Sequence, residues 1–269
     1  MCAINSIIQN STTIHLSSAR TVPVITYALD IVNSTQTWSK EHLKNIPIDG
    51  WMTVIAKTQT GGMGTNGRTW YSPKGNIYAS FTKQLPKMGI KQLQIPQIVA
   101  LAVAQTIEEF GLHPQLKWIN DVLLNRKKIS GILVEVQDGA LIIGIGLNVN
   151  LDINDAKKIN KVCFNDPNII PITSLLIETG HKFNIENVFQ TLQQKLYTVI
   201  DLHFNHDLNF IEEIESRLIC KRGDNITIEP LKYTGIFKGL NSYGAALIEV
   251  KGKGIIEINT GRIALPSTL

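Results

Sequence analysis

The chain has 269 residues, 43% hydrophobic and 18% charged, so it can bury a real core and does not have the composition of a disordered chain. Its net charge of +4 and pI ≈ 8.9 are too mild, and its basic residues too scattered, to argue for nucleic-acid binding. The three cysteines, Cys2, Cys163 and Cys220, are far apart and argue against a disulfide framework or a zinc site, leaving reduced thiols in a cytoplasmic protein as the expectation.

The polar, Ser/Thr-rich residues 1–20 read as a partly ordered arm, without the basic stretch and apolar run of a secretory signal. Val22 to Val32, β-branched and apolar, read as a strand. Asn33 or Ser34 is a candidate N-cap for a following helix. "WMTVIAKTQT" reads as a second strand that runs into a glycine-rich loop. "GNIYASFTKQL" returns as a third, with Tyr78 and Ser80 on one face and Ile77, Ala79 and Phe81 on the other. "IPQIVALAVAQTIEEFG" reads as a mostly buried helix, with Pro96 in its first turn and Gly111 as its stop. Gln115 to Leu151 hold three apolar runs, read as consecutive antiparallel strands joined at Asn125–Arg126 and Asp138–Gly139. Beyond Asn150 one helix should end at Gly180. An amphipathic one carries Ile185, Val188, Phe189, Leu192, Leu196, Val199 and Ile200 and continues weakly to about Leu218. From Lys221 onward, short strands broken by Gly, Asn and Ser predict a small barrel-like β domain. No apolar run is long enough to span a membrane.

Four stretches could carry chemistry. "QTGGMGTNGRTW", Gln59 to Trp70, is either a mobile surface loop or a run of bare backbone amides that lines an anion, with Arg68 adding charge. It is neither a phosphate-binding P-loop nor a dinucleotide fingerprint. In "LKWIND", Lys117, Asn120 and Asp121 crowd around a Trp; the Asp could hold a metal, orient a lysine, or sit in a solvated turn. In "NRKKISGILVE", Arg126 and Lys127 suit a wet turn. Lys128, at the mouth of a buried strand containing Gly131, suits a cleft that takes an anionic intermediate. In "GIGLNVN", Asn148 interrupts a buried strand and must find partners, on a nucleobase edge or on backbone.

Taken in order, "NST", "QTGGMGTNGRTWYSPKGNIY", "KWINDVLL", "KKISGILVE" and "IGIGLNVN" resemble the catalytic domain of biotin–protein ligases, and the tail from Tyr233 is similar to that family's small C-terminal domain. The resemblance covers about residues 25 to 265. It implies an α+β fold, with a mixed, mainly antiparallel sheet and flanking helices, like class II aminoacyl-tRNA synthetases. The implied division is an arm (1–20), a catalytic domain (21–219) and a small C-terminal β-barrel (220–269). It further implies ATP and biotin as substrates with Mg2+, and a biotinyl-adenylate intermediate. The acceptor is a lysine of a biotin carboxyl carrier protein, of acetyl-CoA carboxylase by family expectation.

Carried over by residue, the resemblance implies that Ser34, Thr35, Gln59 and the backbone of Gly131 bind the ureido end of biotin, with Gly62 in the pocket and Trp70 as its wall. Gly62, Gly64, Gly67 and Arg68 would fold over the adenylate. Lys128 would contact carboxylate and α-phosphate, Asn120 and Asn148 would lie near the nucleotide, and Asp121 would orient the carrier lysine or assist its deprotonation. No protein ligand set for a metal is implied. Two departures stand out: Met63 and Thr65 occupy positions where family loops often carry arginine, and Ile119 replaces a proline. The residues ahead of Val22 leave no room for a winged helix-turn-helix, so sequence-specific DNA binding is not expected; a monomer or a homodimer is. The rival of the same fold is a lipoate or octanoate ligase or transferase. Its Gly-Gly-Gly-x-Val-x-His pattern is absent, and the six histidines lie outside every motif.

Overall fold

The computed structural model describes residues 7–16, 20–85, 94–163, 170–206 and 208–264. Eight strands form one sheet: β1 (Ile7–His15), β2 (Thr21–Val32), β3 (Trp51–Gln59), β4 (Ile77–Gln84), β5 (Gln115–Lys117), β6 (Asp121–Leu124), β7 (Lys127–Gln137) and β8 (Ala140–Leu147). Their spatial order is β1-β2-β3-β4-β8-β7-β6-β5. Only β2 and β3 run parallel; every other neighbouring pair is antiparallel. Two short turns set the β6–β7 and β7–β8 hairpins. Asn125 and Arg126 (φ 49° and 63°), and Asp138 and Gly139 (φ 49° and 74°), both have the positive φ pairs that match strand twist. Two features depart from the sequence reading. Within the predicted arm, Ile7–His15 form an edge strand on β2. The segment read as three strands holds four, because Trp118–Asn120 turn the chain between β5 and β6.

Strand periodicity sorts the two faces of the sheet. Ile77, Ala79 and Phe81 of β4 and Leu141, Ile143 and Ile145 of β8 join the main core. Across it lie α2 (Ile95–Glu108) and α5 (Ile185–Asn205). The helix α2 is buried almost all round, so its apolar residues are not confined to one stripe. Tyr197 of α5 stacks on Trp51 and meets Phe81 edge-on, and its hydroxyl lies 2.5 Å from Thr53 Oγ1. The opposite face carries α1 (Thr35–Glu41), whose Trp38 packs against a smaller core of Tyr27, Leu29, Met52, Val54 and Ala56.

The remaining helices are α3 (Ile153–Cys163), α4 (Leu175–Thr179) and α6 (Ile211–Arg217). Ser174 caps the start of α4 and Gly180, at φ 79°, ends it. The long helix does not continue to Leu218. It stops at Asn205, capped by His206, and α6 is a separate element. No described helix is long and apolar enough to cross a membrane.

The C-terminal strands, β9 (Asn225–Glu229), β10 (Tyr233–Leu240), β11 (Ala246–Val250), β12 (Gly254–Ile258) and β13 (Arg262–Ala264), form an antiparallel sheet in the order β12-β11-β10-β9-β13. The predicted barrel is therefore not closed: among the described residues β12 and β13 do not pair. Only Asn259–Gly261 separate these two edges in sequence, which forces the sheet to curl until they approach. The small sheet docks on the rest of the fold through a shared apolar core and several hydrogen bonds, among them Gln94 Nε2 to Ser242 O and Leu240 N to Glu215 Oε1. Gly244 O accepts from Trp118 Nε1 at 3.0 Å and Gln97 Nε2 at 2.7 Å. Cys220, beside this junction, is a buried free thiol whose pKa burial pushes up to about 12, so it is inert. Cys2 and the side chain of Cys163 lie outside the described residues.

Candidate active site

The site grows from the start of α1. Ser34 adopts an extended backbone, and its Oγ accepts from the amides of Gln36 and Thr37, satisfying donors that the helix leaves free. This turns Thr35 and Gln36 onto the face of the sheet beneath α1. Thr35 N donates to Gln59 Oε1 at 2.9 Å and Thr35 Oγ1 lies 3.2 Å from the same oxygen. Gln59, at the end of β3, donates from Nε2 to Ser72 Oγ at 3.0 Å. Ser80 Oγ lies 2.9 Å from Thr35 Oγ1 and 3.0 Å from Gln36 Oε1. Buried polar groups here are joined in one network rather than left orphaned.

The floor below them has no side chains. On this face the strand register aligns Lys117, Asp121, Gly131 and Gly146 in one row across β5, β6, β7 and β8. Gly144 lies one step along β8, opposite Leu133. A Cβ on Gly144 would stand 2.7 Å from Gln36 Oε1, one on Gly131 2.9 Å from Trp70 Cζ3, and one on Gly146 would overlap the Trp70 indole. The bare stripe therefore lets Trp70 lie flat on the sheet. Its Nε1 is buried without a partner. The result is a cleft of ≈ 470 Å³ between Thr35, Gln36, Gln59, Trp70 and the glycine floor, lined by polar groups and closed at one end by Lys128.

Lys128 is aimed by an irregularity. The β6–β7 register shifts between Val122, opposite Ser130, and Leu123, opposite Lys128, so Ile129 is an extra residue. Residues three apart on a regular strand point to opposite faces; the bulge brings Lys128 round to the side of Gly131. A Cβ on Gly131 would lie 3.2 Å from Lys128 Cε. Lys128 Nζ lies 2.6 Å from Asp121 Oδ1 and 5.5 Å from the Trp70 ring centre. Its backbone is clamped by Pro171 O and Thr173 N, at 2.7 and 2.9 Å.

Beyond Lys128 opens a second cleft of ≈ 890 Å³, with a different character. It is lined by the cations Arg68, Lys117, Lys128 and Arg262, with Asp121, and has an apolar side of Ile159, Ile170 and Ile172. Lys117 is only 5% exposed. Burial lowers its pKa from 10.5 to about 8; Asp121 works against that, and Lys128, Arg262 and Arg68 add to it. Such a cleft is built for an anion with a flat apolar part.

The loop between the clefts is a narrow hairpin. Trp70 N donates to Gly62 O at 2.8 Å and Gly64 N to Arg68 O at 2.7 Å. Asn66 (φ 58°) and Gly67 (φ 70°) make its tip, where positive φ favours glycine or asparagine.

Of the residues singled out in the sequence, Ser34, Thr35, Gln59, Trp70, Gly131 and Lys128 line the first cleft. Gly64, Arg68, Asp121, Lys128 and Asn148 line the second. Asn120 lines the first cleft and not the second, with its Nδ2 on Ile132 O at 2.8 Å. Gly62 and Gly67 line neither cleft. Gly62 is buried under the loop, where a Cβ would stand 2.7 Å from Ser72 Oγ, and Gly67 makes the turn. Asn148 Nδ2 takes the backbone partner, Thr173 O, at 2.9 Å. Unnoticed in the sequence were Gln36, Gly144, Gly146, Lys117 as a buried cation, and Arg262. The alternation Gly144-x-Gly146 carried the signal for the floor, since a period of two puts both on one face. Among the described residues no group of three His, Cys, Asp or Glu stands ready for a metal. The single carboxylate in the cleft, Asp121, is engaged by Lys128.

This arrangement has known counterparts. The profile of the "Biotin/lipoate A/B protein ligase family" matches residues 28–152. The "Bifunctional ligase/repressor BirA" of Bacillus subtilis is 31% identical over 245 residues, covering 88% of this chain and 72% of that protein. The "Biotin--[acetyl-CoA-carboxylase] ligase" of Paracoccus denitrificans is 31% identical over 169 residues, 59% of this chain and 67% of the relative. Among solved structures, the biotin protein ligase from Aquifex aeolicus in complex with biotin and ATP superposes with a TM-score of 0.74 at 30% identity, over 90% of this chain and 98% of that one. The length, the level of identity and the shared fold leave one assignment: this chain belongs to the biotin protein ligases of the biotin/lipoate A/B protein ligase family.

Proposed function

We propose that the chain is an ATP-dependent biotin–protein ligase. It joins biotin to ATP as biotinyl-5′-AMP with release of pyrophosphate, then passes the biotinyl group to one lysine of a carrier protein. The observation that carries this reading is the junction at Lys128, where an uncharged polar cleft meets a cationic one. The first cleft suits the neutral ureido head of biotin, whose donors and acceptor a dry site must match one for one. Its chain would run over the glycine floor and along Trp70 to bring its carboxylate to Lys128. The second cleft suits ATP.

Both reactants are anionic, so bringing the carboxylate to the α-phosphorus needs positive charge at that point. Lys128 supplies it, releasing Asp121 as it does so. One carboxylate oxygen bonds to phosphorus and pyrophosphate leaves. In the second step the neutral amine of the carrier lysine bonds to the acyl carbon and AMP leaves; Asp121, freed from Lys128, would orient that amine and take the proton it loses. Magnesium belongs with the triphosphate, as the described residues offer no carboxylate cage of their own, and it would shield phosphate charge there. The carrier is that of an acetyl-CoA carboxylase, in line with the Paracoccus relative's name. The enzyme acts in the cytoplasm as a monomer or homodimer.

The test is incubation with ATP, labelled biotin and an apo carrier domain, with labelled lipoate and its carrier in parallel. Biotin is expected to be incorporated, and Lys128→Ala is expected to lower adenylate formation at least a hundredfold, about 2.7 kcal/mol of transition-state stabilisation. Incorporation of lipoate in place of biotin would overturn the proposal.

A further inference from the structure

Three clefts meet at Lys128. Beside the two described above, a third of ≈ 770 Å³ lies between the tip of the glycine loop and the small C-terminal sheet. Asn66 and Arg68 line it from the loop, Glu229 and Arg262 from the sheet, and it reaches Asp121 and Lys128. Glu229 ends β9 and stands directly opposite Arg262, the first residue of β13. Directly opposed residues of an antiparallel pair project from the same face. The other face of β9 carries Ile226 and Ile228 into the core, which leaves Glu229 and Arg262 turned to the cleft. Glu229 is half-buried, and among the described residues no hydrogen bond or ion pair engages its carboxylate.

A carboxylate is out of place in a cleft that serves phosphate. Glu229 stands with Arg68, Lys128 and Arg262, and its charge opposes a bound anion. Biotin and ATP are both anionic, whereas the third reactant is a cation. With an ordinary pKa of about 10.4, a carrier lysine arrives at neutral pH as an ammonium. Biotinyl-5′-AMP would fill the first two clefts, and the third would still lead to Lys128, where the acyl carbon would lie. An ammonium on that path meets the three cations Arg68, Lys128 and Arg262. Asp121, one carboxylate on the path, is held by Lys128 at 2.6 Å. Glu229 is the other, and it offsets the repulsion from the side of the small sheet.

We propose that the third cleft admits the acceptor lysine and that Glu229 is a positioning residue for its ammonium. The inference rests on the proposed function and deepens it. Glu229 pairs with the ammonium as it enters. The ammonium gives one proton to water, and the neutral amine moves on to the acyl carbon. The cations around the path favour that loss, because they disfavour a further positive charge. A half-exposed carboxylate pairs weakly, so Glu229 speeds and orients arrival without trapping the lysine.

Transfer from preformed biotinyl-5′-AMP is to be measured for the wild type, Glu229→Gln, Glu229→Lys and Glu229→Asp. Three acceptors are compared: an apo carrier domain, Nα-acetyl-lysine amide, and hydroxylamine, which is mostly uncharged at pH 7. Glu229→Gln is expected to lower kcat/KM about fivefold for both lysine acceptors, the upper end for one exposed charge pair, and Glu229→Lys to lower it further. Glu229→Asp keeps most of the wild-type value, and added salt narrows the gap between wild type and Glu229→Gln. The hydroxylamine rate, and pyrophosphate release from ATP and biotin, are expected to stay within about twofold of wild type in every variant. If Glu229→Lys does not fold, Glu229→Gln decides. Unchanged transfer to both lysine acceptors, a loss with the carrier alone, or an equal loss with hydroxylamine overturns the inference while leaving the function intact. A wild type that releases no pyrophosphate with biotin removes both.

Discussion

Lys117 shows how a single residue reports its surroundings. Its pKa is lowered from 10.5 to about 8, chiefly because burial disfavours the ammonium. Between pH 8 and 10.5 the unfolded chain holds this proton and the folded chain does not, so this residue makes stability rise with pH through that window. Below pH 8 the native state carries the whole cost, roughly 3 kcal/mol at one pKa unit per 1.36 kcal/mol. Lys117→Met is therefore expected to be more stable than the wild type at pH 7, by up to that amount, and the gap is expected to narrow by pH 10. Urea unfolding at the two pH values checks it; equal stability at both would refute it. The same cost gives the reason for keeping a lysine there, since a bound phosphate would restore the charge that burial disfavours. In the sequence Lys117 was visible only as one polar residue near a Trp. Its setting includes Arg262 of β13, well over a hundred residues away, which shares its cleft and adds to the lowering of its pKa, and no local pattern encodes that.

At the scale of the element, the loop from Gln59 to Trp70 was legible as a glycine-rich connection between two strands, and its glycines separate by position. Gly64 lines both clefts, whereas Gly62 clears room for the backbone of the returning strand and Gly67 makes the tip. Its base is tied to the end of β2 by Thr60 N to Val32 O and Gly61 N to Asn33 O, and beyond that point its backbone bonds among the described residues run within the loop: Gly64 to Arg68, Trp70 to Gly62, and Arg68 to Thr65 at 3.3 Å. With Met63 40% exposed and Thr65 lining the cleft, the loop offers Arg68 as its only cation. Biotinyl-5′-AMP is expected to escape measurably in the absence of a carrier. Met63→Arg combined with Thr65→Arg is expected to cut that escape severalfold, since each added charge-assisted contact is worth on the order of 1 kcal/mol or more. Separating free from bound adenylate after a single turnover measures it. Wild-type release below detection would show that Arg68, Lys128 and loop closure suffice.

For the molecule as a whole, the catalytic part and the small sheet share the site. Arg262, the first residue of β13, reaches the cationic cleft. Its position depends on how the sheet sits on α2, and Gly244 O ties the two through Gln97 and Trp118. Gly244 has φ 80°, and a Cβ there would stand 2.6 Å from Gln97 Nε2. Gly244→Val combines an unfavourable backbone conformation with that overlap and is expected to loosen the small sheet. Two readouts follow: faster trypsin cleavage among Arg217, Lys221 and Arg222, and a several-fold higher ATP KM with biotin affinity unchanged. Cleavage and KM both matching wild type would mean that the sheet is held elsewhere, with the ion pair of Arg222 and Glu215 as the next contact to remove.

The sequence alone determined what is local. Alternation assigned the two faces of β4, positive-φ residues set the hairpins after β6 and β7, Ser34 capped α1, and the ordered motifs pointed to the family. These are readable because side-chain period and backbone dihedrals belong to neighbouring residues. Only the tertiary structure decided what lies across the sheet. It placed β8 between β4 and β7, aligned Lys117, Asp121, Gly131 and Gly146 in one row, and brought Gln36 to Glu135, 99 residues apart. It also left the C-terminal sheet open, because closure depends on accumulated curvature and not on strand count. The physical reason is the same in each case: strand order and register are settled by burial summed over the whole core, and no short stretch of sequence contains that sum.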